Sequence, residues 1–117
     1  MPIKTENIVL DKSFAFALSI INYCETLEQN KKFVVPHQLL KSGTSIGANI
    51  HEVQNCESRA DFIHKLKIAA KEVEETQYWL LLCEEATNYP YEKNLLNALG
   101  DILRLLNSII NSAKQQM

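Results

Sequence analysis

Asp61 and His64 stand three residues apart, the spacing at which a helix offers a carboxylate and an imidazole to one metal ion. Bundles that hold a metal pair carry this motif on two helices and add a carboxylate from each of the others. Here there is one copy, and Asp61 follows Ser58 at the interval of a helix-capping box, which gives it a structural task. His51-Glu52 has no second histidine four residues after the first, so the zinc-protease pattern is absent. Glu72, Glu74, Glu75, Glu84 and Glu85 could suggest paired acids. Acid–base catalysis needs carboxylates in distinct environments within a cleft, and no glycine-rich or histidine-bearing loop accompanies these. The cysteines, Cys24, Cys56 and Cys83, are odd in number and lack C-x-x-C spacing, which fits buried thiols in a reducing cytoplasm better than disulfides or zinc. The expectation is a non-enzyme with no catalytic residue, no cofactor, no metal and no small-molecule substrate.

Two other sets of polar residues have a pattern. Ser45, Asn49 and Glu52 form a line beside the apolar seam Leu39, Gly43, Ile46, Ile50 and Val53, and Glu72 and Glu75 flank a seam further on. Half-buried carboxylates in such places should bond to partners such as Ser45 and Asn49, giving a polar network that fixes helix register. Arg59, Lys65, Lys67 and Lys71 tint one stretch basic, and His64, Lys67 and Lys71 share an outward sector. With Lys31 and Lys32 they are the candidate nucleic-acid contacts. Glu57 and Asp61 offset them, no aromatic interleaves, and the net charge is -2, so an ordinary solvated face is the preferred reading.

The elements that must position these residues are helical. The chain has 117 residues, 46% of them hydrophobic, with only three Gly and three Pro, enough for one domain with one core. Helices are predicted over about 5–29, 36–54, 59–87 and 91–114. Pro36 suits a first turn, Ser58 with Asp61 opens the third helix, and Asn88-Tyr-Pro90 ends it. The fourth carries Leu95, Leu99, Ile102, Leu106, Ile109 and Ala113 in a four-three rhythm; the third carries Phe62, Leu66, Ala69, Val73, Thr76, Leu80 and Cys83. Short turns between amphipathic helices predict an all-α, antiparallel up-down-up-down four-helix bundle. Gly43 and Gly47, one turn apart, each cost about 1 kcal/mol against alanine in a helix, which predicts another helix too close for a Cβ.

The first helix is apolar along two lines. Leu10, Phe14, Ala17, Ile21 and Cys24 are expected to make the core seam. Val9, Phe16, Ile20, Tyr23 and Leu27 are then left for contact with another subunit, or else for packing under neighbouring helices. No apolar stretch approaches the roughly 18 residues of a membrane span, and the charged N-terminal residues do not resemble a signal peptide, so a soluble cytoplasmic protein is expected.

Ser45-Ile-Gly-Ala-Asn-Ile-His-Glu52, Ser58 with Asp61-Phe62, Leu66-x-Ile-Ala-Ala70 and Glu72-x-x-Glu75 together resemble the signature of the small bacterial four-helix-bundle family encoded in intervening sequences of large-subunit ribosomal RNA genes. The resemblance spans nearly the whole chain and implies homo-oligomers, with ring-shaped homopentamers among relatives. It extends to the accessory proteins of diversity-generating retroelements, similar bundles that bind nucleic acid and a reverse transcriptase. The positions it carries over are Ser45, Asn49, Glu52, Ser58, Phe62, Glu72 and Glu75, a structural signature with no catalytic role attached. His51 stands where a small residue is usual, Val53 where glycine is common, and the acidic balance departs from the basic accessory proteins. The expected function is a self-assembling scaffold or adaptor; the alternative is an RNA accessory protein binding through a basic face of the oligomer.

Overall fold

The computed structural model describes residues 4–116, with side chains placed from Ile8 onward. Its helices are α1 (Lys4–Gln29), α2 (Val34–Glu52), α3 (Arg59–Glu85) and α4 (Lys93–Gln115), and a single 3-10 turn, Val53–Asn55, follows α2. No strand occurs among the described residues. The α1 helix closes with Lys31 N–H donating to the Glu28 carbonyl and Lys32 N–H to the Leu27 carbonyl, both at 2.9 Å. Lys31 takes the left-handed conformation (φ 64°) that this closure needs. Pro36 sits in the first turn of α2, where a missing N–H leaves no helical bond unmade. Ser58 Oγ accepts from the Asp61 N–H at 3.0 Å and caps α3, as its spacing predicts.

The fourth helix starts two residues later than the pattern predicts. The preceding Tyr89–Glu92 segment is irregular, and the Tyr23 hydroxyl donates to the Pro90 carbonyl at 2.6 Å, tying that segment to α1.

Each helix packs against two others, in the ring α1–α2–α3–α4–α1. With antiparallel neighbours this is the predicted up-down-up-down bundle, 48 Å long and about 20 Å across. The predicted seams of α2 and α4 are buried throughout. That of α3 is buried from Leu66 onward, while Ile63 replaces the half-buried Phe62 at its start. A shallow groove between α1 and α4 is lined by Lys12, Ala15, Phe16, Ser19, Ala98 and Asp101.

The two lines of α1 are exchanged relative to expectation. Val9, Phe16, Ile20, Tyr23 and Leu27 are buried inside the chain's own core, so they are not available to a second subunit. Of the line assigned to the core only Cys24 is buried; Phe14 is 66% exposed, Ile21 38% exposed, and Leu10 and Ala17 half-buried. The reason lies in α2. A Cβ on Gly43 would stand 3.0 Å from Cγ1 and Cγ2 of Ile20, so Ile20 fills the space that Gly43 leaves. A Cβ on Gly47 would stand 3.4 Å from the Ser13 carbonyl, an ordinary contact, and Ser13 is itself fully buried. The close helix approach predicted from the two glycines therefore holds most tightly at Gly43.

Candidate functional site

Two contacts set the register of α2 against α3. Thr76 Oγ1 lies 2.9 Å from Ser42 Oγ, both residues fully buried, and Lys65 Nζ lies 3.6 Å from Glu52 Oε1 nearer the other end. Ser45 and Asn49 lie on α2 between these two contacts, and both are half-buried. The cross-helix bonds expected of this set are not found among the described residues. Ser45 Oγ donates to the Lys41 carbonyl at 2.7 Å, and Asn49 Nδ2 donates to the Ser45 carbonyl at 2.9 Å. Both spend their donors on their own helix, because the carbonyl four residues back is the nearest acceptor to a short polar side chain. Among the described residues neither bonds Glu72 or Glu75, and Glu75 instead accepts from Trp79 Nε1 at 3.3 Å. Ser58 is engaged in its cap, away from this set.

The half-buried Glu72 carboxyl is pushed above the usual carboxylate range by burial and by the negative charge of Glu75, with Lys41 opposing. Its ionised form is therefore less favourable in the fold than in the unfolded chain. The resulting cost is present at neutral pH and disappears as pH falls through the raised value toward that of a free carboxyl. Glu72→Gln should accordingly melt above the wild type at pH 7, with the gap closing near pH 4. Paired thermal melts at the two pH values check this, and a Gln variant less stable at pH 7 would show that the carboxylate is held by favourable bonds.

The three cysteines are shifted toward the protonated thiol. Burial pushes the Cys24 thiol up to about 12, and Cys24 Sγ donates to the Pro36 carbonyl at 3.5 Å. Burial also raises Cys83, against a smaller opposite effect of its contact with the Tyr23 hydroxyl. Cys56 is raised by burial and by Asp61. Thiolate is the reactive form, and all three sites disfavour it. Among the described residues no three His, Cys, Asp or Glu side chains converge as metal ligands, so Asp61 and His64 find no third partner.

Of the basic candidates, Arg59, Lys67 and Lys71 are exposed, whereas Lys65 is half-buried and paired with Glu52. Lys32 lies 5.2 Å from the Tyr89 ring centroid at the far end of the bundle, so Lys31 and Lys32 do not gather with the α3 cations.

The most prominent surface feature is apolar. Phe14, Leu18 and Ile21 lie along the outer side of α1 at 66%, 50% and 38% exposure. Leu40 of α2, on the helix that α1 packs against, is also exposed, at 40%. Sequence reasoning placed a surplus apolar line on α1 but chose the wrong one. Ser13 was the available signal, since a small polar residue belongs to the line that meets a glycine.

Comparison with known proteins agrees with this fold. No curated protein matches the chain. A crystal structure at 1.70 Å of a protein of unknown function from the S23 ribosomal protein family of Bacteroides thetaiotaomicron is 47% identical. It superposes with a TM-score of 0.83 over 92% of this chain and 98% of that one. The 23S rRNA-intervening sequence protein family matches residues 5–111, which is nearly the whole bundle. The chain belongs to that family.

Proposed function

We propose that this protein is a non-enzymatic scaffold or adaptor that assembles with copies of itself through the outer face of α1 and α2. One observation carries the reading: Phe14, Leu18 and Ile21 form an exposed apolar strip on a helix whose inner face is already filled, and Leu40 of the neighbouring helix is exposed as well. Such a strip, with half-buried Leu10 and Ala17 beside it, is what a subunit contact uses. The homopentamer implied by the family resemblance is the expected stoichiometry, in the cytoplasm.

Phe14→Glu puts a charge on the most exposed residue of the strip without touching the core. Sedimentation at about 50 μM should find the wild type as an oligomer and the variant at a lower mass with unchanged helicity. A wild type that sediments as a monomer at that concentration overturns the reading. The RNA accessory role has less behind it, because Lys65 is paired with Glu52 and only Arg59, Lys67 and Lys71 of the predicted contacts are exposed.

A further inference from the structure

The outward line of α3 has an internal order that the strip on α1 lacks. His64, Lys67, Lys71, Glu74, Tyr78, Leu81 and Glu85 follow one another at spacings of three and four, which places them on one side of the helix. All are exposed, Tyr78 at 59% and Leu81 at 43%, with Leu82 beside them at 38%. The first half of the line is basic, and the second is acidic and apolar.

Within the chain two parts of this order are unfavourable, although Lys71 and Glu74 are opposite charges one turn apart. Lys67 and Lys71 are like charges one turn apart, and Glu85 stands in the last turn of α3, where the helix dipole disfavours an anion. Among the described residues the ion pairs are Lys65–Glu52 and Arg104–Asp101, so Lys67, Lys71, Glu74 and Glu85 take no oppositely charged partner from their own chain.

We propose that this face pairs with the same face of a second copy, α3 against α3 in antiparallel register. A two-fold axis between residues 72 and 73 would set Lys71 against Glu74 of the second copy and Lys67 against its Tyr78 ring. It would also bring His64 to its Leu81. Each contact occurs twice, because a two-fold interface is self-complementary. The ammonium of Lys67 over a tyrosine face is a cation–π contact, and Lys71 with Glu74 is an ion pair, so both lysines of the line meet a favourable group on the second copy. The apolar part, Tyr78 with Leu81 and Leu82 from both copies, lies on either side of the axis. This contact is distinct from the α1 strip and does not depend on it.

The test uses the full chain carrying Phe14→Glu, so that the α1 face is removed and the two contacts are read separately. Sedimentation at about 100 μM should give a dimer in 20 mM salt and a monomer in 500 mM salt, since exposed ion pairs are screened. Adding Lys71→Glu should give a monomer at both salts, and adding Glu74→Lys to that should restore the low-salt dimer. Mixing the separate Lys71→Glu and Glu74→Lys chains should give a mixed dimer, which only this register predicts. A monomer at low salt before any α3 change overturns the proposal, as does a dimer indifferent to Lys71→Glu. So does an unchanged mass accompanied by loss of single-stranded RNA retention at 20 mM salt, which would make the face a nucleic-acid surface. An assembly larger than a dimer that Phe14→Glu leaves intact counts against the α1 reading, and the Lys71→Glu arm still decides the α3 contact.

Discussion

Ile20→Ala is expected to lower the unfolding free energy by about 2–5 kcal/mol, and Ile21→Ala, one residue away, by less than about 1 kcal/mol. Ile20 is fully buried, and its branched side chain occupies the space opposite Gly43, so its truncation removes apolar burial and leaves a void between two backbones that cannot close freely. Ile21 is 38% exposed in the isolated chain, and part of its surface is still in water. Urea unfolding of the two variants, measured where the protein is monomeric, separates them. Equal losses would mean that the α1 stripes are assigned the wrong way round. The void also couples to the glycine. Gly43→Ala should be unfavourable in the wild type, where the new methyl meets Ile20 at 3.0 Å. It should be tolerated in the Ile20→Ala background, where only the better helix propensity of alanine remains.

Thr76→Val should cost about 1–3 kcal/mol, although the two side chains have nearly the same shape. Thr76 Oγ1 lies 2.9 Å from Ser42 Oγ and 2.7 Å from the Glu72 carbonyl. Its loss leaves the buried Ser42 hydroxyl with only a long 3.4 Å contact to the Leu39 carbonyl. Ser42→Ala should cost less, because Thr76 keeps its bond to Glu72. The double variant should recover part of the Thr76→Val loss, since removing both hydroxyls leaves nothing buried and unpaired. Denaturant titrations of the four chains form the cycle, and a neutral Thr76→Val would mean that the pair contributes nothing.

Much of the fold could be read because three of the four helices carry a single apolar line. On α2, α3 and α4 the four-three rhythm leaves little choice of face, and the buried residues follow it from Leu39 to Ala113. On α1 Phe14, Leu18 and Ile21 are as apolar as Phe16, Ile20 and Leu27, so hydropathy alone does not choose between them. The choice is made by shape, through Ile20 against Gly43 and Ser13 against Gly47, and shape belongs to the pair of helices rather than to either one. The bonds of the polar signature were not legible. Ser45 and Asn49 bond the carbonyls of their own helix, a local preference that a search for cross-helix partners passes over. The Ser42–Thr76 pair was missed because only Thr76 lies in a predicted seam, while Ser42 stands beside Gly43, one residue off the α2 line.

Because α1 packs against α4, the first and last helices are side neighbours, and four antiparallel helices bring both of their outer ends to the pole that also holds the turn at residues 53–58. The connectivity is therefore nearly cyclic. A short linker joining the ends of α4 and α1 would cross no other element, and the chain could be reopened at the irregular Ala86–Glu92 segment on the opposite pole without cutting a helix. The geometry thus admits a circular permutant that starts at α4 and retains every helix pair of the ring. It would present its new ends at the pole of Phe33 and Tyr89, where an attached reporter stands clear of the outer ends of α1 and α4 by most of the 48 Å length.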